Sequence, residues 1–323
     1  MAVAVFTGRE DRAPARSSHR DRGKLPRKER WWGLFFVSPW LIGLTLFYIF
    51  PIVASLVMSF TNYRLVGGDG TKFVGLKNWQ RLFSDPEVRH SAWITFKFFL
   101  VFLPLAIFVP LFFAYLLTAK RLWGRNFFRL LFYLPVMIPF VAAAIVWRFY
   151  LNGNTGWVAR FLGWFGIDSP DFLNDPQWVM PSLWLIALWG VGNAMIIYIA
   201  SLNGVQRDLY EAATIDGAGS WQLFRHVTWP MISPITFYNL VIALVALGHY
   251  FVTPFVLTEG TGDPGGAAKF YTMYFYRQTF TFFEAGYGTA LAWAMFIVIA
   301  GLTFALFWSA KYWVHYEYQE RKT

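Results

Sequence analysis

Six long apolar runs limit what this chain can fold into. They are Trp31 to Phe60, Ser91 to Ala119, Phe127 to Tyr150, Pro181 to Ser201, Ile232 to Leu257 and Tyr287 to Ala310. A helix needs ~20 mostly apolar residues to cross a bilayer, and each run reaches that length. The fourth is the weakest, because Gly190 and Gly192 interrupt it. Helices of soluble domains average about 11–12 residues, so a large soluble core does not explain runs this long. A transmembrane barrel would instead show alternating segments of about 10 residues. Composition agrees: 57% of the residues are hydrophobic and 14% are charged, against about 45–50% and ~25% in soluble domains. The chain has no cysteine, which excludes a disulfide scaffold and thiolate-metal or iron–sulfur chemistry. The expected fold is an all-α membrane protein with six transmembrane helices.

The charge pattern supplies an orientation. Lys and Arg number 28 against 18 Asp and Glu, a net charge of +10. These charges fall in blocks between the apolar runs, which suits anionic headgroups and topology control better than nucleic acid. Nine basic residues precede Trp31. Four (Lys120, Arg121, Arg125, Arg129) follow the second run, two (Arg207, Arg225) follow the fourth, and three (Lys311, Arg321, Lys322) lie in the tail. These 18 outweigh the 8 in the alternate loops, so both termini are expected in the cytoplasm. Residues 1–30 read as a basic, disordered cytoplasmic tail, 31–310 as the membrane domain and 311–323 as a cytoplasmic tail. The apolar run after residue 30 is far longer than a signal-peptide core.

Several residues stand out inside the runs. Pro39, Pro51, Pro104, Pro110, Pro135, Pro139 and Pro254 interrupt or flank helix interiors. Each removes a backbone hydrogen bond and bends the rod, either as ordinary packing irregularity or as part of a lined cavity. Asn193, Asn239 and His249 are polar groups at depth. They serve either as helix–helix hydrogen-bonding groups or as the lining of a polar solute path. Lys97 and Arg148 lie near run ends and can snorkel. Trp147, Tyr150, Trp178, Trp184, Tyr250 and Tyr287 fit interfacial aromatic belts. No Asp or Glu falls within the six runs, so a carrier driven by protons or sodium lacks its usual coupling group.

The segment from Ser201 to Pro230 is too long for a plain connector. Leu209, Ala212 and Ala213 fall on one helical face. Asp216-Gly217 signals a turn. A second short amphipathic stretch carries Trp221, Phe224 and Val227, and Pro230 is expected to end it. The pattern predicts a helix–turn–helix beneath the membrane whose small residues allow close approach by another surface. A surface-lying amphipathic loop without a partner fits the same pattern.

Glu211-Ala212-Ala213, Asp216-Gly217-Ala218 and the later Val227, Trp229 and Pro230 resemble the EAA loop of permease subunits in binding-protein-dependent ABC importers. Val227 and Trp229 stand where that pattern has Ile and Leu. The segments Phe47 to Tyr63, Phe73 to Pro86, Tyr250 to Pro264 and Phe275 to Leu291 are similar to MalF-like sugar permeases, and the likeness covers about 31–310. Glu259-Gly260-Thr261-Gly262-Asp263-Pro264 replaces the family's usual glycine-rich run there. The resemblance implies a MetI-like ABC importer permease fold in a bacterial or archaeal inner membrane. It also implies four kinds of protein or solute partner: a second, related permease subunit, two cytoplasmic ABC ATPase subunits, an extracytoplasmic solute-binding protein and a carbohydrate or glycerol-phosphate substrate. Membrane lipids surround the chain, and no nucleic acid is implied. Coupling to the ATPase is expected through Glu211, Ala212, Ala213, Asp216, Gly217, Ala218 and Pro230.

The chemistry that is missing fits this expectation. No G-x-x-x-x-G-K-[ST] motif is present, and Gly262, Gly265 and Gly266 have the wrong spacing before Lys269. ATP and Mg are therefore expected on the partner ATPase subunits, with no cofactor in this chain and no catalytic site. No metal-ligand spacing appears among the five histidines. Asp168, Asp171 and Asp175 group together without a motif for a membrane enzyme and read as a solvated loop. The alternative function is an ion-coupled secondary carrier acting without an ATPase.

Overall fold

The computed structural model describes residues 27–67, 70–119 and 122–315. The expected tail before residue 27, Lys120 and Arg121, and the tail from residue 316 with Arg321 and Lys322 lie outside these residues. The chain divides into two compact units, Met1–Ala54 and Ser55–Thr323.

In the first unit α1 (Arg27–Leu44) runs through a π turn (Thr45–Ile49) into α2 (Phe50–Met58), which continues into the second unit. Trp31–Met58 is one apolar helix of 28 residues, or ~42 Å at 1.5 Å per residue. That exceeds a hydrocarbon core of ~30 Å and calls for tilt. The π turn sits two residues before Pro51. Proline lacks an N–H and its ring crowds the carbonyl four residues back; the widened turn relieves both demands without ending the helix.

The second unit opens with a tight loop. Asn62 N–H donates to the Lys72 carbonyl at 3.0 Å, and Val74 N–H donates to that of Phe60 at 2.8 Å. Next come α3 (Lys77–Ser84) and α4 (Pro86–Thr118). Asp85 caps α4 by accepting from Glu87 N–H at 2.9 Å, and Pro86 occupies the first turn, where a missing N–H costs nothing. Pro104 and Pro110 lie inside this 33-residue helix.

α5 (Arg125–Tyr133) passes through a 3₁₀ turn (Leu134–Met137) to α6 (Phe140–Tyr150). The expected third span is therefore not one rod, for its limbs meet at 105°. Pro139 is the cause: it forces Ile138 into an extended conformation, ψ 129°. α7 (Trp157–Gly163) precedes α8 (Val179–Trp189) and α9 (Gly192–Gly204), and these last two form the fourth span with a 49° bend at Gly190–Val191.

α10 (Arg207–Ile215) and α11 (Ser220–Leu223) follow. A second π turn (Phe224–Thr228) then leads into α12 (Trp229–Leu247). Ser220–Leu247 is one apolar helix of 28 residues. Pro230 thus does not end the amphipathic stretch, contrary to the sequence expectation. It falls two residues after a π turn, as Pro51 does, and the helix runs on. The fifth span stops at Leu247 rather than Leu257, because α13 (Val252–Leu257) is a separate short helix. α14 (Tyr271–Tyr276), a third π turn (Arg277–Thr281) and α15 (Ala285–Trp313) complete the described chain. Among the described residues four helices are long and apolar enough to cross a membrane, and six spans result if each bent pair counts as one.

α4 packs against α8, α9, α12 and α14. Two apolar cores flank it. Near its N-terminal end, Phe98 is fully buried, stacks on Tyr250 at 4.5 Å and meets Phe270 edge-on at 5.2 Å. Near its C-terminal end, Leu111, Ala114 and Leu117 meet Met195, Tyr198 and Ile232. Lipid tails are as apolar as leucine, so such close fits and the hydrogen bonds between helices hold a membrane bundle together.

Candidate functional site

The segment between α9 and α12 hangs from the C-terminal end of α4. Val205 is buried beside Leu117, which turns the chain into α10. Asp208 in the first turn of α10 suits its positive end. The other end closes by a Schellman motif: Ala218 N–H donates to the Ala213 carbonyl at 3.0 Å and Gly217 N–H to that of Thr214 at 3.0 Å. Gly217 takes φ +82°, a left-handed conformation that glycine adopts without strain. Asp216-Gly217 is therefore the turn its sequence signals.

Tyr210 and Ala213 turn toward the body, and the Tyr210 hydroxyl pairs with Thr228 Oγ1 at 2.9 Å. Glu211, Ala212, Asp216 and Gly217 are exposed, while Ala218 and Pro230 are half-buried. Leu209 and Ile215 are exposed too, and Ile215 is 86% accessible. The sequence reading missed Ile215, although its spacing of three from Ala212 and four from Glu211 would have placed it on their face. The second limb is fixed by aromatic contacts. The ring of Phe224 lies 5.8 Å from Trp221, 6.3 Å from Tyr115 of α4 and 6.3 Å from Trp229. The π turn at the root of α12 is thus tied to α10 through Tyr210–Thr228 and to α4 through Phe224–Tyr115.

The three expected path residues have different surroundings. Asn193 is exposed at the start of α9. The adjacent Gly192 is a point of close approach between helices. A side chain there would strike the Phe132 carbonyl and Tyr133 backbone, so the glycine lets α9 press on α5. Asn239 is 6% exposed and lies by the hydroxyl of Tyr198. His249 is exposed, pairs through Nδ1 with the Val245 carbonyl at 3.2 Å and lines an apolar cleft of ≈ 730 Å³ against α15 with Phe275, Met295 and Ile299.

At the N-terminal end of α4 the loops are pinned together. Arg81 pairs with Glu284 at 2.6 Å and lies over the Tyr287 ring at 3.9 Å. Lys269 pairs with Glu87 at 2.7 Å, and Arg148 with Glu259 at 2.5 Å. Tyr274 and Tyr287 donate to Asp85 Oδ2 at 2.5 and 2.8 Å. Burial pushes the Asp85 carboxyl up, but the two tyrosine hydroxyls and the N–H groups of Glu87 and Val88 outweigh it and hold it below the ordinary carboxylate value. Among the described residues no group of three or more His, Cys, Asp or Glu is placed to hold a metal ion.

Comparison with known proteins follows this geometry. Residues 103–314 match the family described as binding-protein-dependent transport system inner membrane component. The chain is 35% identical to the probable ABC transporter permease protein YesP of Bacillus subtilis, over 91% of this chain and 95% of that one. It is 31% identical to the lactose transport system permease protein LacF of Rhizobium radiobacter, over 86% and 94%. A chain in the crystal structure of a bacterial alginate ABC transporter, in complex with its alginate pentasaccharide-bound periplasmic protein, shares the fold. Its TM-score is 0.74 at 24% identity, covering 88% of this chain and 95% of that one. The resemblance expected from Glu211–Ala213 and Gly217 therefore holds, and the chain belongs to the family of inner-membrane permease components of binding-protein-dependent ABC transport systems.

Proposed function

We propose that this permease carries a carbohydrate and is driven through α10 by a separate ATPase. The solute class is supported by sugar-carrying relatives, among them the lactose permease LacF and the probable starch degradation products permease AmyD of Thermoanaerobacterium thermosulfurigenes. The coupling role rests on one observation. α10 presents Glu211, Ala212 and Ile215 outward while Tyr210 ties it to Thr228 at the root of a span. Such a helix is a handle, with its exposed face free for a cleft in another protein.

In this reading two ATPase subunits bind ATP and Mg and close upon each other. Each closure displaces the helix lodged in it, and the α12 and α4 spans follow as packed bodies. With a second, related permease forming the other wall, the path opens alternately to each side. A solute-binding protein delivers the sugar at the end where Arg81, Asp85 and Glu284 gather the loops. Asn193, Asn239 and His249 are proposed contacts along the path. A carrier working without an ATPase is not favoured, since no carboxylate lies within the apolar runs.

The assembled complex in proteoliposomes tests this. Glu211→Lys is expected to lower sugar-stimulated ATP hydrolysis and sugar uptake together by about tenfold or more, the loss that ~1.4 kcal/mol of docking energy would produce. Undiminished uptake by Glu211→Lys, or uptake by the chain with no ATPase subunit present, would overturn the assignment.

A further inference from the structure

Between α6 and α8 the chain carries an apolar face that α7 turns outward. Trp157 and Phe161 stand one turn apart on α7, and Trp164 and Phe165 extend the patch into the turn that follows the helix. Trp157 is 63% accessible and Trp164 77%. The patch is continuous, for Phe161 meets Trp164 at 6.1 Å and Phe165 at 5.2 Å. The flank beside these rings is anchored: Val158 packs on the core that holds Leu151, Leu173 and Phe98. The direction of the exposed patch is therefore fixed by packing.

Seven residues cannot span a bilayer, and four clustered aromatic rings in water form an interaction surface. We propose that α7 lies in the bilayer surface, with these four rings seated at the boundary between headgroups and acyl chains. Continuity with the membrane-facing surface selects lipid as the occupant. α6 exposes Val141, Ile145 and Phe149 at i, i+4 and i+8, and α7 packs against α6 after a short turn held by Asn152, whose Oδ1 accepts from Asn154 and Thr155 N–H. The charges agree. Exposed Arg160 lies at the edge of the patch, 5.8 Å from the Trp157 ring, where it can reach lipid phosphate. Asp168 and Asp171 follow directly and are exposed, which returns the chain to water. Aromatic rings with a flanking cation are the composition that interfacial helices use. This surface is independent of the solute carried and of the coupling role of α10.

The absence of cysteine makes a direct test available. Single cysteines replace Phe161, Trp164 and, as the reference, Asp168 in the full importer, which is spin-labelled and placed in phosphatidylethanolamine–phosphatidylglycerol nanodiscs. Collision with oxygen, relative to a water-soluble nickel chelate, is expected to be several-fold higher at 161 and 164 than at 168. Nickel access at 161 and 164 equal to that at 168 would overturn the proposal, and so would labels immobilised and shielded from both reagents, which would mark a protein neighbour instead. Should the substitutions prevent assembly, the unmodified importer with a photoactivatable phospholipid gives the same reading. Adducts are expected on a peptide containing 157–165, and their absence there with labelling of α6 would overturn it.

Discussion

Asp85 sits where three helices meet: it caps α4 and receives hydroxyls from Tyr274 of α14 and Tyr287 of α15. These contacts favour its ionised form, so its affinity for a proton is lower in the folded chain than in the unfolded one. The unfolded state then binds more protons near the ordinary value of 3.8, and stability rises with pH through that range. The contribution is full above 3.8 and fades as the pH falls from there through the folded value. Asp85→Asn keeps an oxygen for the cap and for one hydroxyl but removes the charge. The variant is expected to melt below the parent at neutral pH, with the gap closing on acidification below 3.8. Melting of the detergent-solubilised protein across pH checks this, and a gap that stays constant into acid would show that charge is not what Asp85 contributes. The sequence gives Asp85-Pro86 away as a helix start. Its two tyrosines are 189 and 202 residues distant, and no local pattern announces such a meeting.

At the scale of elements, what could be read depended on whether one helix or two had to agree. Pro86–Thr118 and Ala285–Trp313 stand where their apolar runs place them, because solvent alone dictates a long apolar helix. Asp216-Gly217 was legible as a turn because left-handed backbone favours glycine. The breaks were less legible. Pro104 and Pro110 stay within one helix, whereas Pro139 turns a span by 105°. Pro51 and Pro230 are each absorbed by a π turn. The residue is the same in each case, and the neighbours that re-satisfy the backbone differ. Gly192 teaches the same lesson, since its meaning lies in the Phe132 carbonyl of another helix. Gly192→Ala must push α9 away from α5 by main-chain movement, because no flexible side chain is there to yield. Overpacking of this kind costs ~1–3 kcal/mol. The variant is expected to lose that much stability and to lower transport without changing which solute is carried, as thermal denaturation and uptake would measure. Unchanged stability would mean that the α5–α9 approach is looser than the backbone geometry implies.

For the second unit as a whole, the two ends of α4 define two faces of the membrane. Arg81, Glu284, Lys269 and Glu87 bind loops to one another at its N-terminal end. At the other end Leu117 packs with Val205, and His315 N–H donates to Ser233 Oγ near the root of α12. Segment 205–230 and the chain around residue 315 therefore share one side, and 258–284 takes the other. We propose that the side of 205–230 is cytoplasmic, because 205–230 belongs to the set of loops that carries 18 of the Lys and Arg residues in the sequence, against 8 in the alternate set. The cysteine-free chain allows the orientation to be read with single cysteines at Asp216 and Asp263. A membrane-impermeant maleimide added to spheroplasts is expected to label residue 263 and leave residue 216 untouched. In inside-out vesicles the pattern reverses. Labelling of 216 from outside would remove α10 from the reach of any cytoplasmic ATPase. The fold would survive that result, whereas the coupling role would not, because a helix can transmit only the force of a motor on its own side of the membrane.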